Sequence, residues 1–374
     1  MPSEPLWTPL AWREGLQWVT TLPEDPVLRL AIYSALALGG LTLLVMAQVL
    51  VVSELAARRE RQRAAFVAEW HPRLVAWTLD AADPRQHSPI HQGERLWLLL
   101  LWARLHRQLR GPARERLNAL FISLDLTGSV LAMLGSRRAH RRLLALACLG
   151  YLGDERFWSD VSPLLGSRNP MVALAAARAL VAMDARRAMA RLVPLMAQRR
   201  DLALPRLQAL CRQAGPAALT PPLLKGLEGA TPAQRERLAA LLACADPAQV
   251  APWARRCLVE PGEREATLGA ALACLGELSD PRDHELMSRS LLSESSRVRF
   301  AAIRALRRQA RREDETLLLP HLEDRDWWVR QAAADALVGL PGITRERLAG
   351  LHDACGDRYG RDALKRALAE GGRS

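Results

Sequence analysis

The apolar positions of this 374-residue chain follow two regimes. Leu30 to Ser53 is a run of 24 residues without a charge, whereas from about residue 110 onward apolar residues recur at helical spacing. Val329, Ala332, Ala333, Ala336 and Leu337 stand at i, i+3, i+4, i+7 and i+8, one face of a helix. The same letters return at Val172, Ala175, Ala176, Ala179 and Leu180, and at Val298, Ala301, Ala302, Ala305 and Leu306. Thr267, Ala270, Ala271, Cys274 and Leu275 make a fourth copy, and a looser fifth ends in Cys148-Leu149. Short breaks follow these helices, "LGYLGD" (149–154), "LVAMDA" (180–185) and "LGELSD" (275–280). A second helical pattern comes after each break and closes on apolar pairs such as "VSPLLG", "LVPLMA" and "LLLPHLE".

Units begin near Ser136, Ser167, Arg199, Ala230, Pro261, Ser295 and Asp324, at spacings of 29 to 34 residues. The two middle units are degenerate, and an earlier unit fits from Arg110. A face made mostly of alanine is too small to fill a globular core. In a stacked array it serves, because each helix pair buries one face on its own partner and another on the next pair. Alanines then let helix axes approach toward the lower end of the usual range of about 8–10 Å. With β-branched runs nearly absent, the pattern predicts an all-α protein. Its architecture is an α-solenoid of about seven to eight helix pairs over 110–374, preceded by one transmembrane helix.

Three signatures resemble a known family. They are Asp324-x5-Arg330, V-R-x-x-A-A-x-A-L at Val329–Leu337, and L-G-x-L-x-D in the breaks. Together they are similar to short HEAT-like repeats, as in bacterial single-pass membrane proteins with HEAT repeats and in phycobilin-lyase-type proteins. The resemblance covers about residues 110–350. It implies an Asp and an Arg that bridge adjacent units, with Asp324 and Arg330 as the complete pair. Unit 295 keeps Arg299 but has Ser293 at the Asp position, and unit 167 has Ala173 for the Arg. The resemblance further implies an accessory, non-enzymatic role beside membrane enzymes, for example an inner-membrane envelope or polysaccharide-synthesis complex. The signatures of tetratricopeptide and ankyrin repeats are absent.

At about 1.5 Å per residue the uncharged run reaches roughly 36 Å, enough to cross a hydrocarbon core of about 30 Å. Gln48 is its one strongly polar side chain. Arg58, Arg59, Arg61 and Arg63 follow it, whereas residues 1–29 hold two Arg against four acidic residues. The positive-inside rule therefore places everything after residue 53 in the cytoplasm, and in a bacterium residues 1–29 in the periplasm. That leading segment carries Trp7, Trp12 and Trp18 among leucines, and five prolines. Two readings of it stand, an interfacial segment or an unstructured tail. Residues 54–109 read as two helices around a polar break. The first continues the span, and the second, with its apolar stretch Leu96–Trp102, is expected to be a buried cap, with interfacial membrane contact as the alternative.

Composition adds little that is specific. Net charge is +12, but all except Lys225 and Lys365 of the 52 basic residues are Arg, which points to coding bias before a nucleic-acid surface. The six cysteines show neither C-x-x-C pairs nor zinc-site spacing, and two of them take the alanine slot of the repeat, as packing residues would. His87, His91 and Glu94 form the only histidine cluster, with Pro89 set against a shared helical face. No phosphate loop, nucleophile elbow or triad context occurs, so neither cofactor nor catalytic residue is assigned. Glu313-Asp314-Glu315 reads as a run of solvated helix-start charges.

The suggestive surfaces are basic and aromatic. Arg304, Arg308 and Arg312 are spaced by four with Arg307 and Arg311 beside them, and Arg137, Arg138, Arg141 and Arg142 form a second cluster. Trp328 is placed to staple the entrance of its helix, and Trp327 to lie on an exposed or inter-repeat face of a helix near the end of the array. The expected partner is a membrane-associated protein, with anionic lipid contact as a further option. A HEAT-like lyase or cofactor handler and a basic solenoid binding nucleic acid are the competing functions. The first lacks a convergent polar pocket in the sequence, and the anchor weakens the second.

Overall fold

The structure, a computed structural model, describes residues 26–79 and 90–371. The three N-terminal tryptophans and His87 lie outside the described residues. The chain divides after Leu101 into two units.

In the first unit, helix α1 (Pro26–Thr78) runs for 53 residues, about 80 Å at the usual rise. Its apolar part is covered by no protein surface: Leu36, Leu41, Leu44 and Val49 are all more than half exposed. From Glu54 onward its exposed surface changes to charge pairs along the helix, Glu54–Arg58 (2.9 Å), Glu60–Arg63 (3.4 Å) and Glu69–Arg73 (2.8 Å). Phe66 and Trp70 are buried beside this charged face. Their rings stack at 5.6 Å, and Trp97 lies 5.8 Å from Phe66. Trp97 belongs to α2 (Arg95–Gln108), in which Leu98, Leu99 and Leu101 are buried and Leu100 is exposed. The apolar stretch at 96–102 is therefore mainly interior.

The second unit is an array of helix pairs. In chain order its helices are α3 (Pro112–Ser123), α4 (Thr127–Leu134), α5 (Ala139–Leu152), α6 (Trp158–Val161), α7 (Pro170–Met183) and α8 (Ala185–Gln198). There follow α9 (Leu204–Ala214), α10 (Pro216–Glu228), α11 (Pro232–Ala239), α12 (Pro247–Val259), α13 (Glu265–Leu278) and α14 (His284–Arg289). The last are α15 (Ser296–Gln309), α16 (Asp314–Leu318), α17 (Trp327–Val338), α18 (Arg345–Ala354) and α19 (Arg358–Gly371). No strand occurs among the described residues. Capping explains many of the boundaries. Asn169 accepts from the amides of Met171 (2.9 Å) and Val172 (3.4 Å), and Asp184, Asp246 and Asp326 do the same work at α8, α12 and α17. Pro170, Pro216, Pro232 and Pro247 each sit in the first turn, where a missing N–H costs nothing.

One layer consists of the alanine-rich helices, with α5 packed on α7, α13 on α15, α15 on α17 and α17 on α19. The small residues meet where expected. A Cβ added to Gly150 would lie 3.1 Å from the Ala179 Cα, and one added to Gly276 would lie 2.8 Å from the Ala305 Cα. The alanine at i+7 of one rung thus touches backbone of the rung before it. The six cysteines are unpaired and buried, and burial pushes the Cys148 and Cys274 thiols up to about 12, consistent with packing residues.

The inter-repeat pair differs from the expected one. The Asp324 carboxylate is held by Arg299 of the preceding rung, at 2.7 and 2.8 Å, and not by Arg330. Arg330 donates instead to the main-chain oxygens of Asp324 (2.7 Å) and Arg325 (3.1 Å). Arg299 does likewise to Ser293 and Glu294, and Arg142 to Ser136 (2.6 Å). The arginine six residues into a rung is therefore a cap for the preceding turn, and it works with Ser or Asp at the unit start because it reads a carbonyl. The chain also continues beyond α17: α19 packs on it, so α17 is not the open end. Asp314 is buried, 2.6 Å from His284 Nε2 and accepting from the Arg311 amide, so that acidic run is not simply solvated.

Candidate partner-binding surface

The seven arginines in residues 296–312 are accompanied by no acidic residue. Helix geometry then sorts them. Arg299 points to the Asp324 side and is consumed by the ladder. Arg311 reaches back to the Pro281 oxygen (2.9 Å), and the Arg307 Nε would lie 3.8 Å from a Cβ added at Gly339. Arg297, Phe300, Arg304 and Arg308 fall at i, i+3, i+7 and i+11 and form one outward stripe of α15. Arg304 stands over the Phe300 ring at 5.7 Å. Arg308 pairs with Glu277 of α13 (2.8 Å), a half-exposed pair that contributes at most about 1 kcal/mol. Arg297, Arg304, Arg307 and Arg312 make no ion pair among the described residues.

Two concavities flank this stripe and share Phe300 as a wall. Between α15 and the start of α17, Ser296, Arg297, Phe300, Asp326 and Trp328 line a cleft of about 490 Å³. Between α13 and α15, a groove of about 230 Å³ is lined by Ala273, Glu277, Phe300, Ala301, Arg304 and Arg308, among others. The i+3 alanine of the repeat, Ala301, leaves room for that groove. Trp328 is 62 % exposed, so it does not staple its helix; the Asp326 carboxylate performs the capping. Trp327 is also exposed, 4.5 Å edge-on to Trp328, with the Arg366 guanidinium 5.5 Å from its ring. Farther along, Tyr359 is exposed between Arg330 (5.3 Å) and Arg358 (5.0 Å).

The second predicted cluster comes apart. Arg137 and Arg138 are exposed at the entrance of α5, Arg142 is a structural cap, and the Nε of half-buried Arg141 has no partner. Sequence reasoning passed over Phe300 and Arg297 and gave Trp328 an inward role. The spacing of Phe300 from Arg297 and Arg304 was the available signal. A further groove of about 470 Å³ runs over α5, α7 and α9, with Gly150, Tyr151, Met171, Ala175 and Arg178 in its wall. His91 is exposed, and no group of His, Cys, Asp or Glu is arranged to hold a metal among the described residues.

Several strongly engaged titratable groups serve contacts between repeats, and others form local pairs. Asp283 is buried under Arg255 (2.6 Å), and Arg255 also reaches Asp280 (2.9 Å). Hydrogen bonds from the Arg282 guanidinium hold the Asp280 carboxyl down at about 2. His106 is buried, its ring nitrogens making only weak polar contact with Asn118 and the Tyr151 main chain, stacked on the Tyr151 ring (4.5 Å) and 5.0 Å from Trp102. Burial, aided by the Arg114 charge, lowers it to about 4, so it is neutral at pH 7.

A family model described as HEAT repeat matches residues 316–340. No curated protein gives a significant match. Among solved structures, an engineered protein aligns at 17 % identity and TM-score 0.36, covering 74 % of this chain and 85 % of that one. Human deoxyhypusine hydroxylase in complex with glycerol aligns at 16 % identity and TM-score 0.29, covering 82 % and 99 %. The matched segment contains α17 and the turn before it, so the chain carries a HEAT repeat within an all-helical array.

Proposed function

We propose that this protein is a non-catalytic scaffold, anchored in a membrane by residues 30–53, that holds a protein partner on the α13–α15–α17 surface. The single observation that carries the binding role is the α15 stripe, where unpaired Arg297 and Arg304 border two concavities beside exposed Trp328. Interfaces draw their energy from Arg and aromatic anchors set in such depressions. The anchor is supported by the α1 span. It is long and apolar enough to cross a membrane, and none of its most apolar stretch is buried as a core helix would be. Its Arg-rich C-terminal flank favours a cytoplasmic array, at a bacterial inner membrane.

The test is affinity capture from detergent-solubilised membranes, comparing wild type with Arg304→Glu/Arg308→Glu. A membrane-associated partner retained by wild type and lost with the double variant is expected. Retention of the same partner by both would remove the surface from the reading. Orientation is checked with a cysteine introduced at exposed Ala182 in intact cells, where resistance to an impermeant thiol reagent is expected.

A further inference from the structure

Resting on that reading of the surface, the geometry points to the chemistry of its occupant. We infer that the α15 surface receives a short acidic segment bearing two apolar side chains, a large one and a smaller one, one seated on each side of Phe300. Charge complementarity is the first argument. Residues 296–312 hold seven arginines and no acid, and Arg297 and Arg304 meet no carboxylate of their own chain among the described residues. Their guanidinium groups present planar donor forks suited to carboxylates.

Shape supplies the second argument. Arg297 belongs to the 490 Å³ cleft, Arg304 and Arg308 to the 230 Å³ groove, and half-buried Phe300 to both. A bilayer offers a plane of headgroups and cannot enter two depressions separated by one ring. A chain segment can, with an apolar side chain against Trp328 and Phe300 in the cleft and a smaller one over Ala273 and Ala301 in the groove. From Ser296 to Arg308 the path along α15 is about 18 Å, the reach of five or six extended residues or of about twelve helical ones. Carboxylates on that segment would lie over Arg297 and Arg304 and compete with Glu277 for Arg308, a half-exposed pair that yields at small cost.

The experiment is selection from a random twelve-residue phage-displayed peptide library on the full-length protein in detergent micelles. An enriched peptide is then made synthetically, and its affinity is measured by fluorescence anisotropy. Enrichment of Asp and Glu together with Leu, Phe or Trp is expected. The chosen peptide should lose at least tenfold in affinity with Arg297→Glu/Arg304→Glu. A similar loss is expected with Trp328→Ala, an exposed site that leaves the thermal melt unchanged. Replacing the peptide's apolar residues with Ala should also cost tenfold. Neutral or basic enrichment, or equal binding by the Ala-substituted peptide, overturns the inference. Association of phosphatidylglycerol vesicles with the full-length protein reconstituted in neutral phosphatidylcholine proteoliposomes is the third arm. Vesicle binding that needs the same arginines while no peptide is enriched would assign the surface to lipid and overturn the proposal. Failure of the selection leaves any partner captured from membranes standing, and absence of a captured partner leaves the selected peptide chemistry standing.

Discussion

The rungs from α13 to α19 and the middle rungs from α9 to α12 do the same mechanical job with different chemistry. In the C-terminal rungs, contact is made by backbone-close Gly–Ala packing and by a guanidinium clamped on a carboxylate, Arg299 on Asp324. The middle rungs lack the repeating letters. There Arg237 reaches back to the main-chain oxygens of Met196 (2.7 Å), Arg199 (2.8 Å) and Leu202 (2.5 Å). Arg199 in turn bonds the Leu165 oxygen (2.9 Å), and Arg235 pairs with Glu263. Any residue supplies a carbonyl, so the Arg237 stitch places little demand on the sequence that it reads, whereas the Arg299–Asp324 clamp needs two particular side chains. The lesson is that a degenerate repeat can be stitched as densely as a regular one.

Removing the two stitches tests this most strongly. Arg299→Ala leaves the largely buried Asp324 carboxylate without its guanidinium and is expected to cost about 2–4 kcal/mol. Arg237→Ala strands carbonyls that water partly re-bonds, and about 1–3 kcal/mol is expected. Denaturant unfolding of each variant measures both, and equal insensitivity would mean that packing alone holds the rungs.

Glycine substitutions sharpen the contrast in sign. A Cβ at Gly276 meets the Ala305 backbone at 2.8 Å, and the two helices must part. Gly276→Ala should lose about 1–2 kcal/mol even after its helix-propensity gain. At Gly226 in the middle rungs the same Cβ meets only the side-chain ends of Val193 (3.0 Å) and Leu238 (3.3 Å). Gly226→Ala is therefore expected to be neutral or stabilising by up to about 1 kcal/mol.

Acid probes α2, where His106 sits, separately from the Arg299–Asp324 clamp. The folded state holds the His106 pKa at about 4, below its ordinary 6.5, so between these values the unfolded chain binds more protons. Stability from this group is complete above pH 6.5 and falls as pH drops toward 4. Asp324 behaves otherwise. Burial works to raise its carboxyl, but the Arg299 hydrogen bonds and charge outweigh that and hold it below the usual carboxylate range. Its contribution is present above the unfolded pKa and disappears only as pH falls through the lowered folded value. Melting monitored across pH should thus show a slope below 6.5, to which half-buried His321 also contributes, that His106→Gln reduces, and a more acidic loss that His106→Gln leaves in place.

Much of the array was legible in the spelling of the chain. The recurrence of Val172, Val298 and Val329 with their alanines announced stacked helices, since only close packing rewards a face of methyl groups. The candidate surface was legible in part. Arg304, Arg308 and Trp327 were visible as letters, but Arg142 and Arg299 look the same in sequence and turn out to be caps. Side-chain identity does not tell an arginine that reads a neighbouring carbonyl from one left to solvent.

By itself, then, the sequence determined what depends on local order: helix periodicity, caps, the small-residue rungs and an uncharged run long enough to span a bilayer. The tertiary structure alone decided which arginine meets Asp324, that α19 covers α17, and that Phe300 divides two hollows beside unpaired arginines. The reason is physical. Periodicity is set by the backbone one turn at a time, whereas the fate of a long charged side chain depends on which rung lies within its reach.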